Sequence, residues 1–253
     1  MKALAVCATY GRIPFLGRML SCFINQTYED KHLVLINDDK NIDLCCDRKD
    51  VTVLNCNNRL LLSEKRNLGI ASGYHDIIFP WDDDDVYLPK RMENHIEKYK
   101  NPEINCYRNI REYVLYGDEF IADSGSGCFN SVSFRKTEWF RVGGYRHLTP
   151  IGEDQELLSK ITGLLEEEAP DKSDFVYGWG GMNYHLSCQS DGLEEIAYTQ
   201  LDNMNLIGKK FWIEPNDEEY NKFVILDRLF RERKTSLKIK HISLGKIDIS
   251  HLL

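Results

Sequence analysis

Four aspartates stand side by side at Asp82, Asp83, Asp84 and Asp85. Adjacent carboxylates repel one another unless a cation or solvent offsets their charge. Hard divalent ions such as Mg2+ and Mn2+ prefer oxygen donors, and they commonly bridge one or two carboxylates to substrate phosphates. The plainer reading is a solvated acidic turn, which is what most isolated charge runs are. Against it stands the segment just before, Ile77-Ile78-Phe79-Pro80-Trp81. Such an apolar run belongs in a core, so the aspartates emerge at a strand end. A second acidic pair, Glu153-Asp154, follows Gly152 and opens a helical pattern. A carboxylate there sits beside free backbone N–H groups. It either complements the helix dipole or is exposed to act as a general base on a hydroxyl. His185 follows a glycine-rich aromatic turn. Imidazole is a reasonable ligand for Mn2+, and a lone histidine in a strand is as readily a packed one. Trp81 and Trp179 are either ligand-stacking walls or core.

These groups need a frame. Short apolar runs at 3–8, 32–36, 51–54 and 76–80 read as strands. Helical patterns at 15–25, 63–72 and 89–100 alternate with them, the last with Pro89 near its start. Such alternation implies an α/β fold with a mainly parallel sheet flanked by helices. Ligands of such sheets bind beyond the carboxyl ends of the strands. Three polar clusters fall there: Thr9-Tyr10-Gly11-Arg12, Asn37-Asp38-Asp39, and Asp82 to Asp85. The second half is less regular. Residues 104–112 and 114–121 read as a strand pair around Tyr116-Gly117-Asp118, and 131–134 as a strand. Residues 137–142 and 153–165 read as helices, 175–177 and 183–186 as short strands, and 217–233 as a late helix.

Ile78-Phe79-Pro80-Trp81-Asp82-Asp83-Asp84-Asp85, with Pro89 four residues on, resembles the D-x-D segment of family 2 glycosyltransferases with the GT-A fold. Ser63-Glu64-Lys65-Arg66-Asn67-Leu68-Gly69-Ile70-Ala71 resembles the helix before it. Val6 to Arg12 and the pair Asp38-Asp39 resemble the first two donor-binding segments. Phe134-Arg135-Lys136, Gly143-Gly144-Tyr145 and Gly152-Glu153-Asp154 resemble the acceptor-side half. The resemblance covers residues 3–190 and implies a Rossmann-like GT-A fold with a smaller acceptor-side sheet and a helical C-terminal extension. It implies a transferase domain over 1–212, with a nucleotide-sugar half (1–100) and an acceptor half (101–212), followed by a helix and basic tail at 213–253. The activity it implies is metal-dependent, inverting transfer of a sugar from a nucleotide-diphosphate donor, by family frequency a UDP-sugar, to an acceptor hydroxyl. Thr9, Tyr10 and Arg12 would line the nucleotide pocket. Asp38 or Asp39 would accept hydrogen bonds from base or ribose, and Arg66 would lie near the base or diphosphate. Asp82 would face ribose and metal, and Asp84 the metal, with Asp83 and Asp85 as the alternative register. His185 would complete the metal site, Asp154 would be the base, and the ion would be Mn2+ or Mg2+.

Composition is compatible with this. Apolar residues make up 42% and charged residues 28% of 253, which suits a folded globular chain. A net charge of -8 gives no global attraction to nucleic acid or anionic membrane. The first apolar run is too short for a secretory signal, and no stretch approaches the roughly 20 apolar residues of a membrane helix. A cytoplasmic protein is therefore expected. The eight cysteines contain no C-x-x-C pair and are expected to be reduced. Between Arg228 and Lys246 seven basic residues face one acidic residue, Glu232. They make either a solvated surface or a contact for a polyanionic acceptor such as modified DNA. Two rival readings are a sugar nucleotidyltransferase and a non-catalytic nucleotide-sugar-binding module. The first expects more than the single glycine of Thr9-Tyr10-Gly11-Arg12, and the intact carboxylates weigh against the second.

Overall fold

The first strand, β1 (Ala3–Thr9), is buried almost throughout. Ala3, Ala5 and Cys7 enter one apolar core, and Leu4 and Val6 enter another. A strand does this when helices cover both faces of its sheet. The computed structural model describes residues 1–110, 113–116, 119–122, 129–146, 152–167, 174–179, 209–232 and 241–243. After β1 come α1 (Ile13–Ile24), β2 (Lys31–Asn37), β3 (Ile42–Cys45), β4 (Val51–Asn55) and α2 (Leu62–Ala71). Next are β5 (Ile77–Asp82), β6 (Val86–Tyr87), α3 (Arg91–Lys98), β7 (Cys106–Asn109), β8 (Tyr113–Tyr116) and β9 (Glu119–Ala122). The described chain closes with β10 (Val132–Arg135), α4 (Lys136–Val142), α5 (Glu153–Lys160), β11 (Leu164–Glu167), β12 (Phe175–Trp179), β13 (Lys209–Trp212), α6 (Asp217–Glu232) and β14 (His241–Ser243).

The large sheet has the order β11-β7-β10-β5-β1-β2-β4. It is parallel except for β10, which runs antiparallel to both neighbours. The expected α/β fold with a mainly parallel central sheet is what the chain adopts. Helices α1, α3 and α6 cover one face through Leu16, Met92 and Phe223. Helices α2, α4 and α5 cover the other through Ile70, Trp139 and Leu157. A second sheet has the order β14-β9-β8-β12-β6, and β13 pairs with β3 alone.

Register decides what meets at the sheet edge. Thr9 lies opposite Asn37, and Ala8 opposite Asp82. The carboxyl ends of β1, β2 and β5 therefore arrive together. Pro80, with no N–H to give, is tolerated in β5 because β10 pairs only with Ile77 and Ile78. Asp83 to Asp85 then form the whole link from β5 to β6, so the acidic run is the crossing between the two sheets. Trp81 is core: it is 0% exposed, stacked on Tyr87 with centroids 3.8 Å apart and edge-on to Phe23.

Two expectations change. The strand expected at 104–112 is shorter and joins the large sheet as β7, while the hairpin is β8 with β9. The helix expected over 153–165 stops at Lys160. Ile161 turns to extended backbone and Gly163 takes φ +66°, a conformation that L side chains rarely adopt. Leu164 and Leu165, which continue the apolar pattern, belong to β11 instead. The short β3 and β13 were not foreseen. The expected strand at 183–186 lies outside the described residues.

His95 ties α3 to the rest. Its ring is 0% exposed, with Nδ1 2.8 Å from Ser133 Oγ and Nε2 3.0 Å from Asp174 Oδ2. Burial holds this imidazole below its ordinary range, against the pull of Asp174. The folded chain therefore binds this proton more weakly than the unfolded one, whose histidine titrates near ~6.5. The stability involved is present above that pH and is lost as the pH falls through the folded value. His95→Gln is expected to be less stable at pH 7.5 but to show a shallower loss of Tm between pH 6.5 and 5. Equal slopes in the two chains would show that His95 does not take up the proton.

Candidate active site

The four aspartates do not share one environment. Asp83 turns inward and is 1% exposed. It accepts 2.7 Å hydrogen bonds from Thr9 Oγ1 and from Arg12 Nη1. Arg12 reaches on with Nη2 to Asp84 Oδ2 at 2.9 Å. Burial outweighs this pairing and pushes the Asp83 carboxyl up to about 6. Asp82, Asp84 and Asp85 instead place one carboxylate oxygen each within 4.8 Å of the others. Asp85, also 1% exposed, accepts from Gly178 N at 2.9 Å and from Asn130 Nδ2 at 3.1 Å. Its carboxyl is pushed well up, first by burial and then by Asp84 and Asp82. Asn130 Nδ2 also donates to Asp82 Oδ2, and the Asp82 backbone N–H donates to Tyr87 Oη at 2.6 Å. Arg18, on α1, donates 2.7 Å to the Asp84 carbonyl and 2.8 Å to Glu219 on α6.

The other strand ends supply a polar wall. Asn37 Oδ1 accepts from Gly11 N at 3.0 Å, holding the loop after β1 against β2. Gly11 has φ +58°, and a Cβ there would come within 2.5 Å of Asp39 Oδ2. Asp38 is buried, and its two oxygens accept from Lys65 Nζ at 2.8 Å and Leu60 N at 2.9 Å. Arg59 lies over the Tyr10 ring at 3.7 Å and 3.5 Å from Asp38 Oδ2. Asp39 is buried and accepts from Asn41 N.

Arg66 bridges the acidic crossing and α5. It donates 2.7 Å to Glu153 Oε1 and reaches Asp82 Oδ1 at 3.4 Å, with Tyr145 beneath it at 5.5 Å. Burial works against its charge, but Asp82, Tyr145, Glu153 and Asp154 together raise its pKa. Asp154, next to Glu153 in the first turn of α5, is partly exposed and accepts from Gln155 N at 2.7 Å. The structure thus gathers Thr9, Arg12, Arg66, Asp82, Asp83 and Asp84 around one edge, with Asp38, Asp39 and Tyr10 beside it. His185 and the side chain of Trp179 lie outside the described residues. So do Arg233, Lys234, Lys238, Lys240 and Lys246 of the basic stretch; within α6, Arg231 pairs with Asp227 at 2.9 Å. Sequence reasoning missed Asn130, Arg18 and Lys65. Only Lys65 had a signal, as the neighbour of Arg66.

Residues 5–143 match the family described as "Glycosyl transferase family 2", which is more than half of the chain. The chain belongs to that family. No curated protein matches it as a relative. Among solved structures, this family 2 chain is similar to Staphylococcus aureus TarS 1–349 in complex with UDP. The two are 11% identical with a TM-score of 0.56, over 71% of this chain and 61% of that one. It is also similar to TarS 1–349 in complex with UDP-GlcNAc (10%, TM-score 0.57, over 94% and 68%). A third is the mannosyltransferase PcManGT of Pyrobaculum calidifontis with GDP-Man and Mn2+ (12%, TM-score 0.50, over 70% and 56%). The chain thus spans about three fifths of the first TarS structure, and at these identities the likeness is one of fold. Among the described residues, no helix is long and apolar enough to cross a membrane.

Arg12→Ala would leave Asp83 buried without its cation. Removing one partner of a buried pair costs about 3–5 kcal/mol, and a loss near the lower figure is expected in urea unfolding at pH 7.5. The folded Asp83 carboxyl lies above its unfolded value, so its ionisation costs stability as the pH rises through about 6. Without Arg12 that cost grows, so the deficit of the variant should shrink on acidification to pH 5. A deficit independent of pH would mean that Asp83 is not the group left exposed to the change.

Proposed function

We propose that this chain transfers a sugar, with inversion, from a nucleotide-diphosphate donor to an acceptor hydroxyl. A divalent cation, Mn2+ or Mg2+, would be held by Asp82 and Asp84 with Asp85 beside them. The observation that carries this reading is the meeting of three carboxylate oxygens within 4.8 Å at the carboxyl edge of a parallel sheet, where such folds bind nucleotides. The donor set fits the ion, because it is made of hard oxygens in a cluster that repels itself. Bound there, the cation supplies positive charge that stabilises the departing diphosphate. The solved neighbours carry UDP, UDP-GlcNAc and GDP-Man with Mn2+, and this supports a nucleotide-sugar donor.

The residues divide the work. Tyr10 offers a ring for the base. Of Asp38 and Asp39, the second would accept from a hydroxyl or base N–H, because both Asp38 oxygens already accept from Lys65 and Leu60. Thr9 and Arg12 act through Asp83, fixing the path of the acidic crossing rather than touching the donor directly. Arg66, between Asp82 and Glu153, sets α5 against the acidic cluster. Asp154 takes the proton from the acceptor hydroxyl as that oxygen attacks the anomeric carbon. With Asp154 acting as a base and not as a nucleophile, the acceptor oxygen attacks from the face opposite the leaving group and inverts the anomeric centre.

The test is a thermal-shift screen of nucleotide-diphosphate sugars with and without Mn2+, followed by turnover of the donor that binds. A ligand at about 100 times its Kd stabilises by about 2.7 kcal/mol, or roughly 5 to 10 °C for a chain of this size. One donor is expected to give such a shift only with Mn2+, and Asp84→Ala is expected to lose it. Asp154→Asn is expected to keep the shift while turnover falls about 10²–10⁴-fold. Failure of every donor under every cation condition would overturn the reading. Full turnover by Asp154→Asn would move the base elsewhere.

A further inference from the structure

Asn130 sits in the 3-10 turn Phe129–Ser131, just ahead of β10. It is 8% exposed. Its side-chain nitrogen donates one N–H to Asp82 Oδ2 and the other to Asp85 Oδ2. The nitrogen end of the amide thus faces the two carboxyl groups. The other end, Oδ1, is buried and has no hydrogen-bond partner among the described residues. The backbone behind it is fixed. Arg91, 0% exposed, donates through Nη2 to the carbonyls of Asn130 and Val132. Folded chains seldom leave a buried acceptor without a donor, and where they do a reason is owed.

We propose that Asn130 is a fourth oxygen donor of the cation site, an inference that rests on the cation reading above. Its two N–H groups tie Asp82 to Asp85. A cation on those carboxylates claims the lone pairs that the N–H groups now use, and it repels an N–H dipole pointed at it. It attracts a carbonyl oxygen. Turning a planar amide about its last bond exchanges nitrogen for oxygen with little change of shape. The unpartnered Oδ1 then gains a partner when the cation arrives. A neutral amide suits the cluster, because a fourth carboxylate would add to its repulsion.

The experiment is a Mn2+ titration followed by electron paramagnetic resonance, without donor, on the wild type, Asp84→Ala, Asn130→Leu and Asn130→Asp. Asn130→Leu is expected to weaken Mn2+ about 10-fold. Asn130→Asp supplies oxygen but no N–H, and is expected to bind at least as tightly as the wild type. Wild-type affinity in Asn130→Leu would overturn the proposal. So would a loss in Asn130→Asp equal to that in Asn130→Leu, which would make the residue an N–H clamp and nothing more. If the wild type binds no Mn2+, or Asp84→Ala binds it unchanged, the cation reading itself falls and the proposal with it. A second readout needs no variant to bind. In the wild type labelled with 15N-asparagine, the side-chain amide signals absent from Asn130→Asp are expected to move when Mg2+ is added. Signals that stay in place would contradict the exchange.

Discussion

Two carboxylates about 4.8 Å apart repel by roughly 3 to 4 kcal/mol at an effective dielectric of 20, and this chain sets four of them in sequence where a buried strand reaches the sheet edge. The repulsion is met by dividing them. Asp83 is taken into the protein by Thr9 and Arg12, and Asp85 by Gly178 and Asn130. Asp82 and Asp84 stay partly exposed, with Arg66 and Arg12 as their nearest cations.

Each partner belongs to a different element, so the division fixes how the elements are assembled. Arg12 precedes α1 and Arg66 lies on α2. Asn130 comes from the turn before β10, and Gly178 from β12 of the second sheet. Arg18 links the Asp84 carbonyl to Glu219 and so seats α6 against the crossing. Arg66 links Asp82 to Glu153 at the start of α5. A change in the charge of the acidic run is therefore felt at α5 and α6 alike. In the proposed transfer, that coupling would let the site that holds the donor position the group that takes the acceptor proton.

The frame of this site was legible in the sequence, because buried parallel strands write themselves as short apolar runs and end in polar clusters. The strands at 3–8, 32–36, 51–54 and 76–80, and the convergence of their ends, needed nothing more. What could not be read was which aspartate faces which way. That is decided by Thr9 and Arg12, more than seventy residues earlier, by Asn130 and by Gly178. Asn130 stands in Phe129-Asn130-Ser131 with no pattern to mark it. The second sheet was half hidden, since β6 has only two residues and carries no period. The end of α5 was misread because Leu164 and Leu165 continue its apolar spacing after Gly163 has already turned the chain. Trp81 was ambiguous because an aromatic at a strand end looks the same whether it stacks on a ligand or, as here, on Tyr87.

The most direct measurement is the position of Mn2+ in crystals of this protein grown with the ion and UDP, read from anomalous scattering at the manganese edge. One strong peak is expected among the carboxylates of Asp82, Asp84 and Asp85, with Asp83 still bonded to Thr9 and Arg12. A peak on Asp83, or no peak at the acidic crossing while UDP is bound at the sheet edge, would contradict the division of the four aspartates on which the proposed chemistry rests.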